Sequence, residues 1–161
     1  MRLYHGTTFE GMKAIIERGF KLEAERRSDP GDFGWGIYLT GHLSRAKAIG
    51  GKYVLEVEVE LKNPLVFKSI SEAYKFADEM ALKLGITIHG KGNTPEERFQ
   101  DRVKNSKKWR EYFLRQGYDG IIIYDPDPLW KGAPYEVVVF DLSAIKSVKP
   151  VPIPYSGEHL S

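Results

Sequence analysis

Residues 53–61 carry the clearest pattern in the chain. Tyr53, Leu55, Val57, Val59 and Leu61 alternate with Glu56, Glu58 and Glu60. A period of two places apolar side chains on one face of a strand and charged ones on the other, which predicts a half-buried strand. Asn63-Pro64 breaks it. Upstream, Leu3 to His5 reads as a short strand entering a turn. Thr8 then stands as N-cap to a helix over 9–18, with Met12, Ile15 and Ile16 as its buried stripe and Gly19 as its cap.

Other elements follow from the same reasoning. The polar stretch 21–34 holds the turn signature Asp29-Pro30-Gly31 and reads as a mobile surface loop. Gly36 to Thr40 reads as a short strand, and 43–49 as a helix ended by Gly50-Gly51. Ser69 and Glu72 have capping-box spacing ahead of a helix to Leu84, with Ala73, Phe76, Ala77, Met80 and Leu84 on one side. A second helix runs from Thr94 to Gln116. Apolar strands are predicted at Ile121 to Tyr124 and Tyr135 to Asp141, separated by a proline-rich loop, and a last one at Ile145 to Lys149. Strands open and close the chain with helices between them and no regular βαβ alternation, so the class is α+β. Residues 1–149 form one domain. Residues 150–161 form a tail that Pro150, Pro152 and Pro154 keep extended and out of strand pairing.

Composition narrows the class. A chain of 161 residues has room for one core, and 42% hydrophobic with 29% charged content is that of a soluble globular protein. No apolar run could span a bilayer. The opening residues turn polar too early for a secretory leader, and there is no cysteine. These features lead to the expectation of a cytoplasmic monomer without membrane contact, with delivery into another cell left open. The formal charge of +2 argues for no class of partner, yet from Lys91 to Arg115 eight Lys or Arg face four Asp or Glu. Phe99, Trp109, Tyr112 and Phe113 are interleaved there. This is either a surface that tracks a nucleic-acid backbone or an amphipathic helix with a solvated basic face, and the second is the expectation.

Familiar catalytic signatures are missing. The histidines at 5, 42, 89 and 159 lack the spacing of a helical zinc site, so no metal is expected. No phosphate-binding GxxxxGK[ST] run, GxGxxG fingerprint or GxSxG elbow occurs. Three stretches stand out instead. Tyr4-His5-Gly6-Thr7 brings a strand into a glycine that allows close approach to a ligand. Gly36-Ile37-Tyr38-Leu39-Thr40 presents a tyrosine on a short strand. Tyr135-Glu136-Val137-Val138 opens an apolar strand with a carboxylate. Singly, each has a plain structural explanation: a turn histidine, a half-buried aromatic, an edge charge that blocks aggregation. Their joint occurrence, in this order and each at a strand end, tips the balance.

That ordered set resembles the ADP-ribosyltransferase superfamily, in the His-Tyr-Glu branch of diphtheria-type toxins and poly(ADP-ribose) polymerases, and is similar above all to small phage and bacterial effector domains. The resemblance spans residues 3 to 148. It implies two small, mainly antiparallel sheets forming an NAD-binding cleft with flanking helices. It also implies NAD+ as co-substrate and the release of nicotinamide. His5, Tyr38 and Glu136 are then the catalytic set: His5 on a ribose, Tyr38 stacked on the nicotinamide, and Glu136 on the ribose 2′-hydroxyl. Gly6, Thr7, Thr40 and Ile49 join His5 and Tyr38 as NAD-binding residues.

The sequence departs from the family at two points. Ile49 stands where many members have a second tyrosine that covers the nicotinamide, which implies weaker NAD+ binding. Pro134 stands two before Glu136, where arginine modifiers carry an acid, so arginine is not the expected acceptor. The loop before Glu136 implies acceptor recognition by Trp130, Lys131 and Tyr135, with Trp130 and Lys131 exposed. The reading is one ADP-ribose transferred to a protein or nucleic-acid acceptor. A catalytically silent binding module, an NAD+ glycohydrolase and an RNA 2′-phosphotransferase are the alternatives.

Overall fold

The order of elements is β1 (Arg2–Thr7), α1 (Phe9–Arg18), β2 (Ile37–Leu39), α2 (Leu43–Gly50), β3 (Tyr53–Val59), β4 (Pro64–Phe67), α3 (Ile70–Leu84), α4 (Pro95–Arg115), β5 (Gly120–Ile123), β6 (Glu136–Val139) and β7 (Ile145–Pro150). The structure is a computed structural model that describes residues 1–22, 30–87 and 89–152. The class is α+β, with two small sheets. One has the order β1-β3-β7 and is antiparallel throughout; the other has the order β2-β6-β5-β4. In the second sheet β4 runs parallel to β5 while the other pairs are antiparallel. Among the described residues, no helix is long and apolar enough to cross a membrane.

The apolar runs of β5 and β6 have no polar alternation because both faces of their sheet are covered. Ile121, Ile123 and Val138 pack against Ala73, Ala77, Met80, Trp109 and Phe113 of α3 and α4. Ile122, Val137 and Val139 turn the other way, toward Leu3, Leu55 and Val57 of the first sheet. The helices begin where the sequence places their caps. The Thr8 and Ser69 hydroxyls accept from the Gly11 and Glu72 N–H groups, and Thr94 with Glu97 forms a full capping box. Each cap contributes about 1 kcal/mol.

Several expectations are corrected. Pro64–Phe67 forms β4, which the sequence reading passed over; its proline is tolerated at the first position of an edge strand. Ile16 is exposed, because α1 buries only the side that carries Met12 and Ile15. Residues 23–29 of the predicted mobile loop lie outside the described residues, but 30–36 is no surface loop: Pro30, Phe33, Gly34, Trp35 and Gly36 are all buried. Ser106 of α4 donates its hydroxyl to the Pro30 carbonyl (3.0 Å) and accepts at its own carbonyl from the Trp35 N–H (3.0 Å). Pro150 pairs with Leu55, and the Val151 N–H donates to Val54, so the tail begins inside the sheet; residues 153–161 lie outside the described residues. Trp109 and Phe113 are core residues with only 2% exposure each, so they cannot stack bases. Arg98, Lys104, Lys108 and Arg115 of α4 are exposed, while Arg102 pairs with Asp32 and Arg110 donates to the Phe140 carbonyl.

Besides that shared core, an isolated backbone bridge joins the sheets among the described residues. Tyr4 of β1 and Thr40, just past β2, exchange both backbone hydrogen bonds (2.7 and 3.0 Å). Beyond that bridge α2 rests directly on β1. A side chain at Gly6 would strike the Ala46 carbonyl, and one at Gly50 would strike the Gly6 carbonyl. Gly6→Ala is therefore expected to destabilise by about 1–3 kcal/mol through forced displacement of the helix. The check is the thermal or denaturant midpoint, and an unchanged midpoint would sink the claim that α2 needs a bare backbone beneath it.

Candidate functional site

A cleft of about 380 Å³ opens beside the Tyr4–Thr40 bridge, where β1 and β2 diverge. Its walls include His5, Gly6, Tyr38, Thr40, Ile49 and Glu136. Small-molecule sites commonly fall in the range of roughly 300–1,000 Å³. Residues from three distant parts of the chain thus converge on one space. Thr7, in contrast, pairs with Tyr53 farther along β1 and does not line the cleft.

Strand pairing decides what β1 offers the cleft. Tyr4 spends its N–H and C=O on Thr40, so it is a residue of β1 whose backbone groups point away from β3. Direction alternates along a strand, so Gly6 turns its N–H and C=O to the same side as Tyr4, two residues past the bridge. His5 shares the face of buried Leu3 and sets its ring edge-on to Phe20 at 5.2 Å. Its Nδ1 lies 3.3 Å from the Tyr38 carbonyl oxygen. A carbonyl oxygen only accepts, so Nδ1 is the donor in that contact; its proton is assigned from this bond.

Tyr38 is held by the buried 30–36 segment. Its hydroxyl accepts from the Phe33 N–H (2.9 Å) and donates to the Gly34 carbonyl (2.7 Å). Its ring lies against Gly31, where any side chain would strike the ring, and φ of +88° at Gly31 also favours glycine. The segment itself is tied down through Asp32, which accepts from the Tyr74 hydroxyl (2.8 Å) and pairs with Arg102 (3.7 Å). Burial raises the Tyr74 phenol above its usual pKa, and the bond to Asp32 and the negative charge of Glu136 add to this.

Glu136 opens β6 opposite Ile123. Its carboxylate pairs with Arg45 of α2 at 3.5 Å, both side chains being less than one-fifth exposed. Arg45 was not legible in the sequence, since a lone arginine on a short helix carries no signal of what it faces. Its guanidinium also lies over the Tyr135 ring at 3.9 Å, and its Nε is a buried donor with no hydrogen-bond partner among the described residues.

The loop before Glu136 differs from expectation. Trp130 is half-buried, its ring edge-on to His42 at 4.8 Å and to Tyr135 at 5.1 Å. The proline-rich turn folds it back on α2, which explains why it is not exposed. Lys131 is exposed and takes a positive φ of 50°. Trp130, Lys131 and Tyr135 stand beside the cleft without lining it. Ile49 is 62% exposed at the rim, and Tyr53, the nearest downstream aromatic, packs on Phe9 instead.

Tyr38→Phe keeps the ring but strips both hydroxyl bonds from a buried backbone segment. It is expected to destabilise the fold by about 1–3 kcal/mol. Equilibrium unfolding by denaturant checks this, and a midpoint equal to that of the native chain would mean the hydroxyl does not hold the 30–36 segment.

A family model described as ADP-Ribosyltransferase in polyvalent proteins matches residues 1–150. No curated protein matches the chain.

Proposed function

The chain belongs to the family of ADP-ribosyltransferases found in polyvalent proteins, and from that premise we propose that it transfers a single ADP-ribose from NAD+ to a macromolecular acceptor. Members of this family use NAD+ as co-substrate. The observation that carries the reading is the convergence of His5, Tyr38 and Glu136 on one cleft from β1, β2 and β6.

In the proposed reaction the bond between the nicotinamide nitrogen and ribose C1′ breaks, and the nitrogen keeps the electron pair. C1′ gains positive charge and then bonds to the acceptor nucleophile, whose proton leaves. The protein gains rate by favouring that charge more than it favours bound NAD+. Glu136 suits this role as a carboxylate on the cleft wall, where it can hold the ribose 2′-hydroxyl, offset the charge on C1′ and take up the nucleophile's proton. Tyr38 offers a ring held at its hydroxyl and against Gly31, which suits a flat stack on nicotinamide. The Gly6 N–H and C=O suit the carboxamide, and His5 a ribose hydroxyl. Thr40 borders the same space, and Ile49 is an apolar lid in place of an aromatic one. Trp130, Lys131 and Tyr135 flank the opening from which an acceptor approaches. With Pro134 before Tyr135 and Arg45 already on Glu136, nothing favours a cationic guanidine acceptor.

Purified protein is incubated with labelled NAD+, agmatine and a cell extract, beside Glu136→Gln. The native chain is expected to release nicotinamide and to label a macromolecule sensitive to protease or nuclease, with agmatine unlabelled. Glu136→Gln should be slower by about 10²–10⁴-fold. Label on agmatine would refute the acceptor reading. A folded protein that neither releases nicotinamide nor binds NAD+ would refute the transferase reading in favour of a binding module.

Ile49→Tyr tests the missing second ring. A restored stack of about 0.5–1.5 kcal/mol should tighten NAD+ binding roughly twofold to tenfold by calorimetry. No change would mean that position 49 does not cover the nicotinamide.

A further inference from the structure

We propose that Arg45 is a positioning residue that fixes the Glu136 carboxylate at the cleft wall, an inference that rests on the transferase reading above. The guanidinium is gripped twice. Its Nη2 lies 3.5 Å from Glu136 Oε2, and its carbon stands 3.9 Å over the Tyr135 ring. Tyr135 directly precedes Glu136, and its N–H donates to the Ile123 carbonyl at 2.8 Å, which ties that ring to β5. The other contacts of Tyr135 and Trp130 close a run of rings, His42 to Trp130 to Tyr135, that ends on Arg45. A flat guanidinium can lie on a ring and reach a carboxylate at once, whereas a lysine keeps only the charge.

Position separates this role from substrate binding. Glu136 lines the cleft, Arg45 is not among its lining residues, and the guanidinium meets the cleft through its pair with that carboxylate. Arg45 therefore acts on a substrate through Glu136. The arrangement also carries a cost: the Arg45 Nε is buried with no acceptor among the described residues, and ion pairs under partial cover are at best weakly stabilising. A cation near a developing positive charge opposes the reaction by Coulomb repulsion. The proposal is that holding the carboxylate in place outweighs that penalty.

The experiment is steady-state nicotinamide release from NAD+ by the full chain, Arg45→Met and Arg45→Lys, with thermal midpoints. Arg45→Met is expected to lower kcat about 10- to 100-fold, the scale of a carboxylate misplaced by about 1 Å. KM for NAD+ should stay within about twofold, because uniform binding is not what Arg45 provides. Arg45→Lys should recover part of kcat. If Arg45→Met fails to fold, Arg45→Lys carries the test alone, a lower kcat at constant KM supporting the assignment. Unchanged or raised kcat in the folded variants, or a KM increase as large as the loss in kcat, overturns it. A native chain that releases no nicotinamide overturns the transferase reading, and this assignment with it.

Discussion

Two backbone hydrogen bonds between Tyr4 and Thr40 are the constraint on which the site depends. They form the isolated bridge between the two sheets, and they fix how β1 and β2 diverge beyond it. A tighter, longer pairing would have used the Gly6 backbone groups in a ladder and closed the cleft. The bridge adds a backbone tie to the apolar core that already packs the two sheets together. Because pairing direction alternates along a strand, the same bridge that occupies Tyr4 turns the polar groups of Gly6 away from β3, to the side of the cleft and α2. The bare backbone at Gly6 and Gly50 then lets α2 come down onto β1, which brings Ala46, Ile49 and Gly50 to the cleft.

The opposite wall owes its shape to packing. Phe33 enters the core beside Trp109, Phe113 and Phe140, Trp35 is buried as well, and Pro30 and Asp32 fasten the segment to α3 and α4 through Ser106, Tyr74 and Arg102. Tyr38 uses that fastened segment as an anchor for its hydroxyl. In the proposed role, a ring so fixed loses little conformational entropy when a flat ligand arrives.

Electrostatics complete the arrangement. The carboxylate at the start of β6 is less than one-fifth exposed, where an unpaired charge would be costly. Arg45 offsets that cost and is itself steadied by Tyr135. The short helix α2 thereby serves the cleft twice, with its C-terminal end against Gly6 and with its arginine paired to Glu136. This shared support explains how residues more than a hundred positions apart in the chain keep a common geometry.

Much of this was legible in the sequence. The caps at Thr8, Ser69 and Thr94, the alternation of 53–59 and the apolar runs at 121–123 and 136–139 are local signals, set by backbone propensity and by which faces are wet. The candidate residues His5, Tyr38 and Glu136 stood out as polar or aromatic groups at strand ends, and the family is confirmed over residues 1–150. What misled were positions whose surroundings come from far away. Residues 30–36 look like a polar, glycine-rich loop until Ser106 and the aromatic core bury them; β4 exists only because β5 offers it an edge; Trp130 turns inward because His42 and Tyr135 are there to receive it. Arg45 belongs to the same group. The sequence by itself determined the elements, their caps and the residues worth watching, because those depend on neighbours within a few positions. Only the tertiary structure decided that Arg45 meets Glu136 and that Gly6 faces an open cleft, because each is a contact across elements with no periodicity to announce it.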